Sequence, residues 1–388
     1  MVRRMDITAL GFTLLSIAGL AHLGTIAVVT ARLRRPTRRP QLDLPPQVTL
    51  IRPVCGLENF IEEDLETSFK LSYPRLELIF CVESPTDPVV PIVRRLIDAY
   101  PPVNARLLVG RDTIGANPKL NNIVKGWNAA TSDWIIISDS NALLPTDYIE
   151  SLLVRWRPNT GVVSSATIVT APEGFAAEIE CAFLNSYQAR WVLAADSLGL
   201  GFALGKTLMW RRETLRRAGG LQALAAETAE DIASTKALRG TKLRPRLAQR
   251  PVAQPIGRRM FGEVWRRQVR WAQLRRVGLR ASYLPEVLSG GAAPFAIAGA
   301  LTLAGAIPPV ALGALFLAWY GLEAALSIAV RWPMSWRMPL ALVARDLLMP
   351  AMWVRGWFGK RFEWRGNIMT IQASRERRPR EAAEAEPS

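Results

Sequence analysis

The chain has 388 residues and a formal net charge of +16, with 49 basic and 33 acidic residues. This length has room for one large domain together with membrane segments. The arginines cluster beside apolar segments, at 32–39, 258–280 and 355–380, so anionic lipid headgroups explain the positive charge better than nucleic acid, which we exclude as a partner.

The first predicted element is a membrane helix. Ile7–Thr30 has no charged residue and is long enough to cross about 30 Å of hydrocarbon. A signal peptide is the alternative, but the run ends in arginines and not at a small-residue cleavage site, so we expect an uncleaved anchor over 1–31. Five arginines follow the run and two precede it, which predicts a cytoplasmic domain at 48–257. The single histidine, His22, lies in the run, so that domain has no histidine to act as base or metal ligand.

Short apolar runs then alternate with helical patterns. The runs that predict strands are 48–54, 76–82, 105–109 and 134–138, and the predicted helices between them are 61–71, 88–100 and 120–131. This order predicts an α/β fold with a doubly wound, largely parallel sheet. Ligands of such sheets bind beyond the carboxyl ends of the strands, so candidate site residues are sought there.

Carboxylates follow two of the predicted strands. Glu83 and Asp87 flank a turn after the second strand, which suits either a nucleotide contact or a proline turn with a capping acid. Asp139 follows the buried-type residues of the fourth strand. An acid there needs a partner, which is either a divalent cation or a set of structural hydrogen bonds.

Two later segments offer further polar groups. Gly115–Asn122 leads into a helix, and the free N–H groups of the helix start together with Lys119 would form a phosphate cradle. Glu230 and Asp231 precede another helix, where acids favour the positive end of the helix dipole. The alternative is a general base on a mobile loop, a task that falls to a carboxylate when histidine is unavailable.

A basic aromatic motif comes just before the apolar C-terminal part, within a predicted amphipathic interfacial segment at 258–286. On a helix Arg267, Arg270 and Trp271 share one face. Two guanidinium groups beside an indole suit a diphosphate, although an interfacial anchor has the same composition.

The C-terminal membrane region is predicted at 287–358. Val287–Val330 has the length of two spans joined at Pro308-Pro309. Met338–Phe358 carries charges at its centre and precedes a basic tail, so a re-entrant or interfacial helix is favoured over a full crossing. The tail, 359–388, is predicted to be basic and partly disordered.

These motifs resemble those of the ceramide glucosyltransferases and their bacterial relatives, membrane-bound transferases with a GT-A type nucleotide-diphosphosugar transferase domain. The resemblance covers nearly the whole chain. The segments that carry it are Gly115–Asn122, Asp139-Ser140, Gly174–Ala177, Gly219–Leu221, Ala229–Asp231 and Arg267–Trp271. It implies a UDP-sugar donor, a divalent cation (Mg or Mn), a lipid acceptor (ceramide or diacylglycerol), and a multi-pass location in an inner membrane.

The resemblance also assigns roles to the acids. It places Glu83 or Asp87 near uracil and ribose, Asp139 on the metal of the sugar diphosphate, and Asp231 as the catalytic base. Lys119 would join the groups that stabilise charge on the departing UDP.

In the same resemblance Arg267, Arg270 and Trp271 close over the diphosphate. Two positions depart from the eukaryotic members. Ser84 stands where those members have an acid, and Gln188 stands where they have a histidine. The resemblance therefore does not fix whether this chain prefers the same sugar or acceptor as the eukaryotic members.

The expected activity is an inverting transfer of glucose, or a related hexose, from a UDP-sugar to the primary hydroxyl of ceramide. A transferase acting on diacylglycerol, adding one sugar or several, needs the same donor machinery, and so does a hopanoid-modifying enzyme. A processive polysaccharide synthase shares the Arg-Trp motif, but three or four apolar segments are few for a sugar channel. An inactive membrane scaffold is the non-enzymatic alternative, against which the intact Asp139, Asp231 and Arg270 argue.

Overall fold

A computed structural model describes residues 2–36, 44–239, 241–359, 361–364 and 367–371. Most of the predicted disordered tail and the arginines at 38 and 39 lie outside the described residues. The chain forms two compact units. Unit 1 comprises Met1–Arg38, Ala166–Gly201 and Gln249–Gly359, and unit 2 comprises Arg39–Ser165, Phe202–Ala248 and Lys360–Ser388. The division into five segments, 1–31, 48–257, 258–286, 287–358 and 359–388, stays a prediction.

The helices of the described chain follow one another from the N-terminus to the C-terminal region. They are α1 (Val2–Arg34), α2 (Ile61–Glu66), α3 (Val90–Ala99), α4 (Pro118–Ala129), α5 (Tyr148–Leu153), α6 (Phe175–Ala182), α7 (Arg190–Ser197), α8 (Arg212–Arg217), α9 (Gly220–Ala225), α10 (Glu230–Ala237), α11 (Phe261–Gly278), α12 (Arg280–Tyr283), α13 (Ala292–Leu303), α14 (Pro309–Ala329) and α15 (Met338–Gly356). A π-helical segment, Phe183–Ala189, joins α6 to α7, and a 3₁₀ turn, Leu284–Leu288, follows α12.

The strands are short. They are β1 (Val48–Pro53), β2 (Leu76–Val82), β3 (Ala105–Val109), β4 (Trp134–Ser138), β5 (Thr160–Ser164), β6 (Thr167–Glu173), β7 (Thr207–Arg211), β8 (Arg244–Leu247), β9 (Val252–Arg258), β10 (Arg361–Trp364) and β11 (Asn367–Thr370).

Unit 2 is built on a seven-stranded sheet in the order β3-β2-β1-β4-β7-β5-β8. The pairs β3–β2, β2–β1 and β1–β4 are parallel, with Val48 opposite both Leu76 and Trp134, so the four predicted strands and their parallel arrangement are confirmed. Strand β7 runs antiparallel to both β4 and β5. The sheet is therefore mixed in its second half. One predicted helix is also too long, since α2 ends at Glu66 and not at 71.

The core of unit 2 lies where α4 packs on the sheet. Ile51, Ile137 and Trp210 are fully or almost fully buried in it. Gly126 allows the close approach of α4, because a Cβ there would lie 2.6 Å from Cys81 Sγ and 3.0 Å from a methyl group of Ile51. The first half of α4 lies at the carboxyl ends of β1 and β2, because Nδ2 of Asn122 donates to the carbonyl oxygens of Val54 and Cys81.

Unit 1 combines a parallel pair, β6 and β9, with the apolar helices. Ile7–Arg34 and Pro309–Ala329 are long and apolar enough to cross a membrane. Arg280–Leu288 and Ala292–Leu303 meet the same test as a pair bent by 41°. Among the described helices, α15 is not apolar enough to count as a membrane-crossing helix by the same test. The predicted segment 7–30 is thus within one helix of suitable length, whereas in 287–330 only Pro309–Ala329 is such a helix by itself.

The charges in these apolar helices neutralise one another. Arg345 donates from Nη1 and Nη2 to Glu323 (2.7 and 3.1 Å) and from Nε and Nη2 to Asp346 (2.9 Å each). Arg190 lies 3.7 Å from Glu323 and hydrogen-bonds Nδ1 of His22 at 2.8 Å. All five residues are buried. The charges at the centre of α15 are therefore satisfied inside unit 1 and do not by themselves indicate an interfacial helix.

The place of Arg32 in the basic run suggested that it contacts lipid headgroups, but the structure gives it a protein partner. It is buried, and its Nη1 lies 2.7 Å from the carboxylate of Asp196. A buried carboxylate attracts a guanidinium more strongly than a screened surface charge does, which explains the difference.

We expect Glu323→Ala to destabilise the protein by about 3–5 kcal/mol, because it leaves the buried Arg345 and Arg190 with less negative charge. Thermal unfolding in detergent micelles measures the change. The matched control is Glu213→Ala, since Glu213 also contacts two arginines but is 46 % exposed. It should change the unfolding temperature little. Equal effects of the two substitutions would contradict the structural role given to the buried network.

Candidate active site

A lysine bridges two carboxylates at the carboxyl edge of the unit 2 sheet. Nζ of Lys119, the second residue of α4, lies 2.6 Å from Oδ1 of Asp139 and 2.5 Å from Oε1 of Glu230. It also donates to the carbonyl oxygen of Gly205 at 2.7 Å. Burial lowers the pKa of Lys119, but the carboxylates of Asp139 and Glu230 outweigh burial and raise it above its usual range. The bridging group is therefore a firmly protonated ammonium.

Asparagines hold the start of α4 in place. Asn117 accepts from the backbone N–H of Leu120 at 3.2 Å and donates from Nδ2 to Oε2 of Glu230 at 2.8 Å. Asn121 accepts from the backbone N–H groups of Ile114 and Gly115. Hydrogen bonds thus hold the loop before α4, and its role as a phosphate cradle stays a prediction.

Asp139 follows directly after β4, and its side chain is 29 % exposed. A second lysine, Lys206, lies 3.3 Å from its Oδ2, and the backbone N–H of Asp139 donates to the carbonyl of Lys206 at 3.0 Å. Burial lowers the pKa of Lys206, although Asp139 opposes the shift. The buried Arg52 fixes the next turn, because its Nη2 donates to the carbonyl oxygens of Ser140 and Ala142 at 3.0 and 3.1 Å.

Asp231 lies beside this cluster at the start of α10. Its Oδ2 accepts from the backbone N–H of Gly205 at 3.1 Å, and its Oδ1 accepts from the N–H of Ile232 at 2.8 Å. Burial, and then the charge of Glu230, raise the pKa of Asp231 to about 6. A Cβ at position 205 would lie 3.2 Å from Glu230 and 3.4 Å from Asp231, so glycine provides the room for both acids.

The two acids after β2 differ in their surroundings. Both oxygens of Asp87 accept from the backbone N–H of Gly56 at 3.0 Å, and Oδ1 also accepts from the N–H of Val89 at 2.9 Å. Glu83 is 45 % exposed and lies 3.0 Å from Arg111. Asp87 therefore organises the turn before α3, whereas Glu83 is directed towards solvent.

Arg267, Arg270 and Trp271 belong to unit 1 and lie on α11, which confirms that this motif is helical. Nη1 of Arg267 lies 2.6 Å from the fully buried carboxylate of Glu180. Trp271 is partly buried against the apolar cluster of this unit. The structure thus gives Arg267 a buried partner that the sequence did not suggest.

The cluster contains residues that sequence reasoning missed. Glu230, Lys206 and Gly205 were not predicted as site residues, yet each contacts a predicted one. Asn117 in turn contacts Glu230. The Glu230-Asp231 pair was visible, but nothing in the sequence shows that the two neighbouring acids differ, one paired with lysine and the other with backbone N–H groups.

The donor set is compatible with a divalent cation only if a ligand supplies oxygens. Within the described residues, no three His, Cys, Asp or Glu side chains converge as metal ligands. Mg²⁺ and related cations are often held by one carboxylate plus phosphate oxygens, and the partly exposed Asp139 suits that arrangement.

Comparison with known proteins gives a consistent family. The family described as Glycosyl transferase family 21 matches residues 13–376. Ceramide glucosyltransferase 3 of Caenorhabditis elegans is 24 % identical over 386 residues, covering 96 % of this chain and 83 % of the relative. Ceramide glucosyltransferase 1 of the same organism is 28 % identical over 275 residues, covering 68 % of this chain and 59 % of the relative. The chain thus spans less than two thirds of the second relative.

Among solved structures, the mannosyltransferase PcManGT from Pyrobaculum calidifontis, in complex with GDP-Man and Mn²⁺, is similar with a TM-score of 0.51. It is 20 % identical, and the similarity covers 89 % of this chain and 99 % of that one. The likeness shows the fold, which confirms the GT-A type predicted from the sequence.

We expect Asp231→Asn to raise the thermal unfolding temperature at about pH 8. Because the pKa of Asp231 is raised from 3.8 to about 6, its stability contribution is present below its ordinary pKa and is lost as the pH rises through about 6. Asn carries no charge, so the gain should shrink towards pH 4. The control is Asp98→Asn at an exposed position of α3, which should show no such pH-dependent gain. A gain that is independent of pH would contradict the raised pKa.

Proposed function

Because the chain belongs to glycosyl transferase family 21 and is a sugar-transferring enzyme of GT-A fold, we propose that it moves glucose, or a related hexose, from a UDP-sugar to the primary hydroxyl of ceramide. The observation that carries the proposal is the Lys119-bridged cluster with Asp231 beside it. The names of the two Caenorhabditis relatives support the sugar and the acceptor.

Asp231 is proposed as the general base. With a pKa of about 6 it is mostly ionised at neutral pH and still basic enough to accept a proton. It takes the proton of the lipid hydroxyl as the hydroxyl oxygen attacks the anomeric carbon. The bond between that carbon and the UDP oxygen breaks on the opposite side, so the configuration is inverted and UDP leaves with the electron pair.

Lys119 and Arg270 are proposed to meet the negative charge that develops on UDP. Lys119 is suited to this because its ammonium is protonated and held in place by Asp139 and Glu230. Arg267 is proposed to fix this part of α11 through Glu180, and Trp271 to give the bound diphosphate an apolar wall.

We propose that Asp139 holds a divalent cation, Mg²⁺ or Mn²⁺, together with diphosphate oxygens of the donor. When bound, the cation supplies positive charge to the leaving group. Lys206 and Lys119 contact the carboxylate of Asp139 in this structure, so a cation bound there would share that carboxylate with the two ammonium groups.

Of the two acids after β2, Glu83 is proposed to contact the uracil or ribose. Its carboxylate is partly exposed, whereas the oxygens of Asp87 are engaged by backbone N–H groups. Asp87 then contributes indirectly by shaping the turn.

We further propose a multi-pass membrane protein whose catalytic part faces the cytoplasm. The two apolar helices and the basic residues after the first one support this orientation. Exposed arginines beside the apolar segments would attract anionic headgroups, and a lipid acceptor would be met in the membrane.

Asp231→Asn should lower kcat for ceramide glucosylation by about 10²- to 10⁴-fold while UDP-sugar binding is preserved, because only the base is lost. Transfer from labelled UDP-glucose in membranes and binding of the donor by calorimetry measure the two effects. The control is Asp98→Asn, which should transfer at the wild-type rate. Parallel loss of transfer and of donor binding would contradict the base role.

The pH dependence of kcat/KM should show an acidic limb near pH 6, since Asp231 must be ionised to act. Glu230→Gln should move the limb to lower pH, because the charge of Glu230 raises the pKa of Asp231. Glu227→Gln is the control, since the Glu227 carboxylate contacts Lys236. Its limb should stay near that of the wild type. An unmoved limb in Glu230→Gln would argue against Asp231 as the titrating group.

A further inference from the structure

Two apolar grooves flank one ridge on α15 in unit 1. Groove A, of about 650 Å³, lies between α13, α14 and α15 and is lined by residues that include Phe295, Gly313, Phe316 and Leu347. Groove B, of about 350 Å³, lies between α6, α11 and α15 and is lined by residues that include Ile179, Phe261 and Leu347. Leu347, which is 73 % exposed, lines both grooves and forms the ridge. Two grooves on either side of one side chain suit a molecule with two hydrocarbon chains.

The wall of groove A also contains a carboxylate. Asp346 lines the groove together with Tyr320, whose hydroxyl lies 3.1 Å from Oδ2 of Asp346. Two further bonds come from Nε and Nη2 of Arg345, at 2.9 Å each. A carboxylate has about four acceptor positions, so these three donors leave room for one more. Arg345 already neutralises this carboxylate, and a ligand that donates a hydrogen bond would use its remaining acceptor position.

An indole N–H lies close by. Nε1 of the buried Trp319 has no hydrogen-bond partner among the described residues. A Cβ at Gly291, next to the Ala292 wall of groove A, would lie 3.2 Å from this nitrogen and in contact with Oδ2 of Asp346. The indole N–H therefore lies near Asp346, but Trp319 itself does not line groove A. The carboxylate of Asp346 forms the polar end of the groove.

We infer that grooves A and B hold the two hydrocarbon chains of the acceptor lipid and that Asp346 accepts a hydrogen bond from its amide or secondary hydroxyl. This inference rests on the proposed function and adds an acceptor subsite to it. Ceramide carries an amide N–H and a second hydroxyl besides the reacting one. The ester groups of diacylglycerol carry no donor, so Asp346 selects ceramide over diacylglycerol. Bulk lipid tails would fill the grooves but leave this polar end without a partner.

The first test narrows groove A without touching its polar end. Gly313 lines the groove, and a Cβ added there meets nothing within 4 Å. Gly313→Leu should therefore raise the KM for long-chain ceramide about tenfold, while the KM for UDP-glucose stays unchanged. The matched control is Gly321→Leu on the same helix, where the surrounding space is equally open but the position does not line either groove. Equal KM values for ceramide in the two variants would overturn the assignment of groove A.

The second test concerns the hydrogen bond. N-methyl ceramide lacks the amide N–H, and 3-deoxy ceramide lacks the second hydroxyl. In the wild type, one of the two analogues should react about ten- to a hundredfold more slowly in kcat/KM than ceramide does. In Asp346→Asn, the kcat/KM of the same analogue should lie much closer to that of ceramide. The ratio of the two kcat/KM values is measured within one variant, so a loss of folded protein does not affect it. Identical ratios in both proteins would overturn the role of Asp346.

A crosslinking measurement separates this inference from the proposed function. A ceramide with a photoactivatable group in its acyl chain is irradiated with wild-type membranes, and the labelled peptides are identified by mass spectrometry. Labels on α13, α14 or α15, reduced in Gly313→Leu but not in Gly321→Leu, support the subsite. Labels elsewhere overturn it. If the wild type labels these helices but glucosylates no ceramide, the proposed function fails while the lipid site stands.

Discussion

One ammonium group holds the candidate site together. Lys119 lies between Asp139, which follows β4, and Glu230, which begins α10, with both contacts at 2.6 Å or less. Two carboxylates at the same sheet edge would repel each other without a cation between them. The positions of the loop after β4, the start of α4 and the start of α10 therefore depend on this bridge. Arg345 has the same function in unit 1, where it lies between Glu323 and Asp346.

This neutralisation leaves Asp231 in a different state from its neighbour. Glu230 is bonded to Lys119 and Asn117, whereas Asp231 accepts from the backbone N–H groups of Gly205 and Ile232. Burial and the adjacent Glu230 raise the pKa of Asp231, while Lys119 and the two N–H groups limit the rise. This difference between the two acids is consistent with the separate roles proposed for Lys119 and Asp231.

The predictable part of the fold is the part with local signals. Strands β1 to β4 were predicted because each is a short, mainly apolar run, and a helix was predicted at 120–131 from its helical pattern, two residues later than α4. Strand β8 contains two arginines in four residues, and β7 joins the sheet antiparallel, so no local pattern indicated where either strand pairs. The resemblance placed the chain in the correct family despite these gaps.

The site was predictable in its residue types but not in its contacts. Lys119, Asp139 and Asp231 were identified, and the structure brings them together in unit 2. The bond between Lys119 and Glu230 joins residues that are 111 positions apart, and no spacing rule reveals it. Similarly, three backbone N–H contacts decide that Asp87 shapes a turn, and the burial of Glu180 decides the partner of Arg267. Such contacts depend on tertiary packing and not on the local sequence.

The proposed reaction is an inverting transfer of a hexose to ceramide. The most direct measurement incubates wild-type membranes with labelled UDP-glucose or UDP-galactose, Mg²⁺ and either ceramide or diacylglycerol, and then determines the lipid product and the configuration of its glycosidic bond. An inverting transfer should give a β-linked hexosyl ceramide from the α-linked donor. An α-linked product, label mainly on diacylglycerol, or no labelled lipid would contradict it.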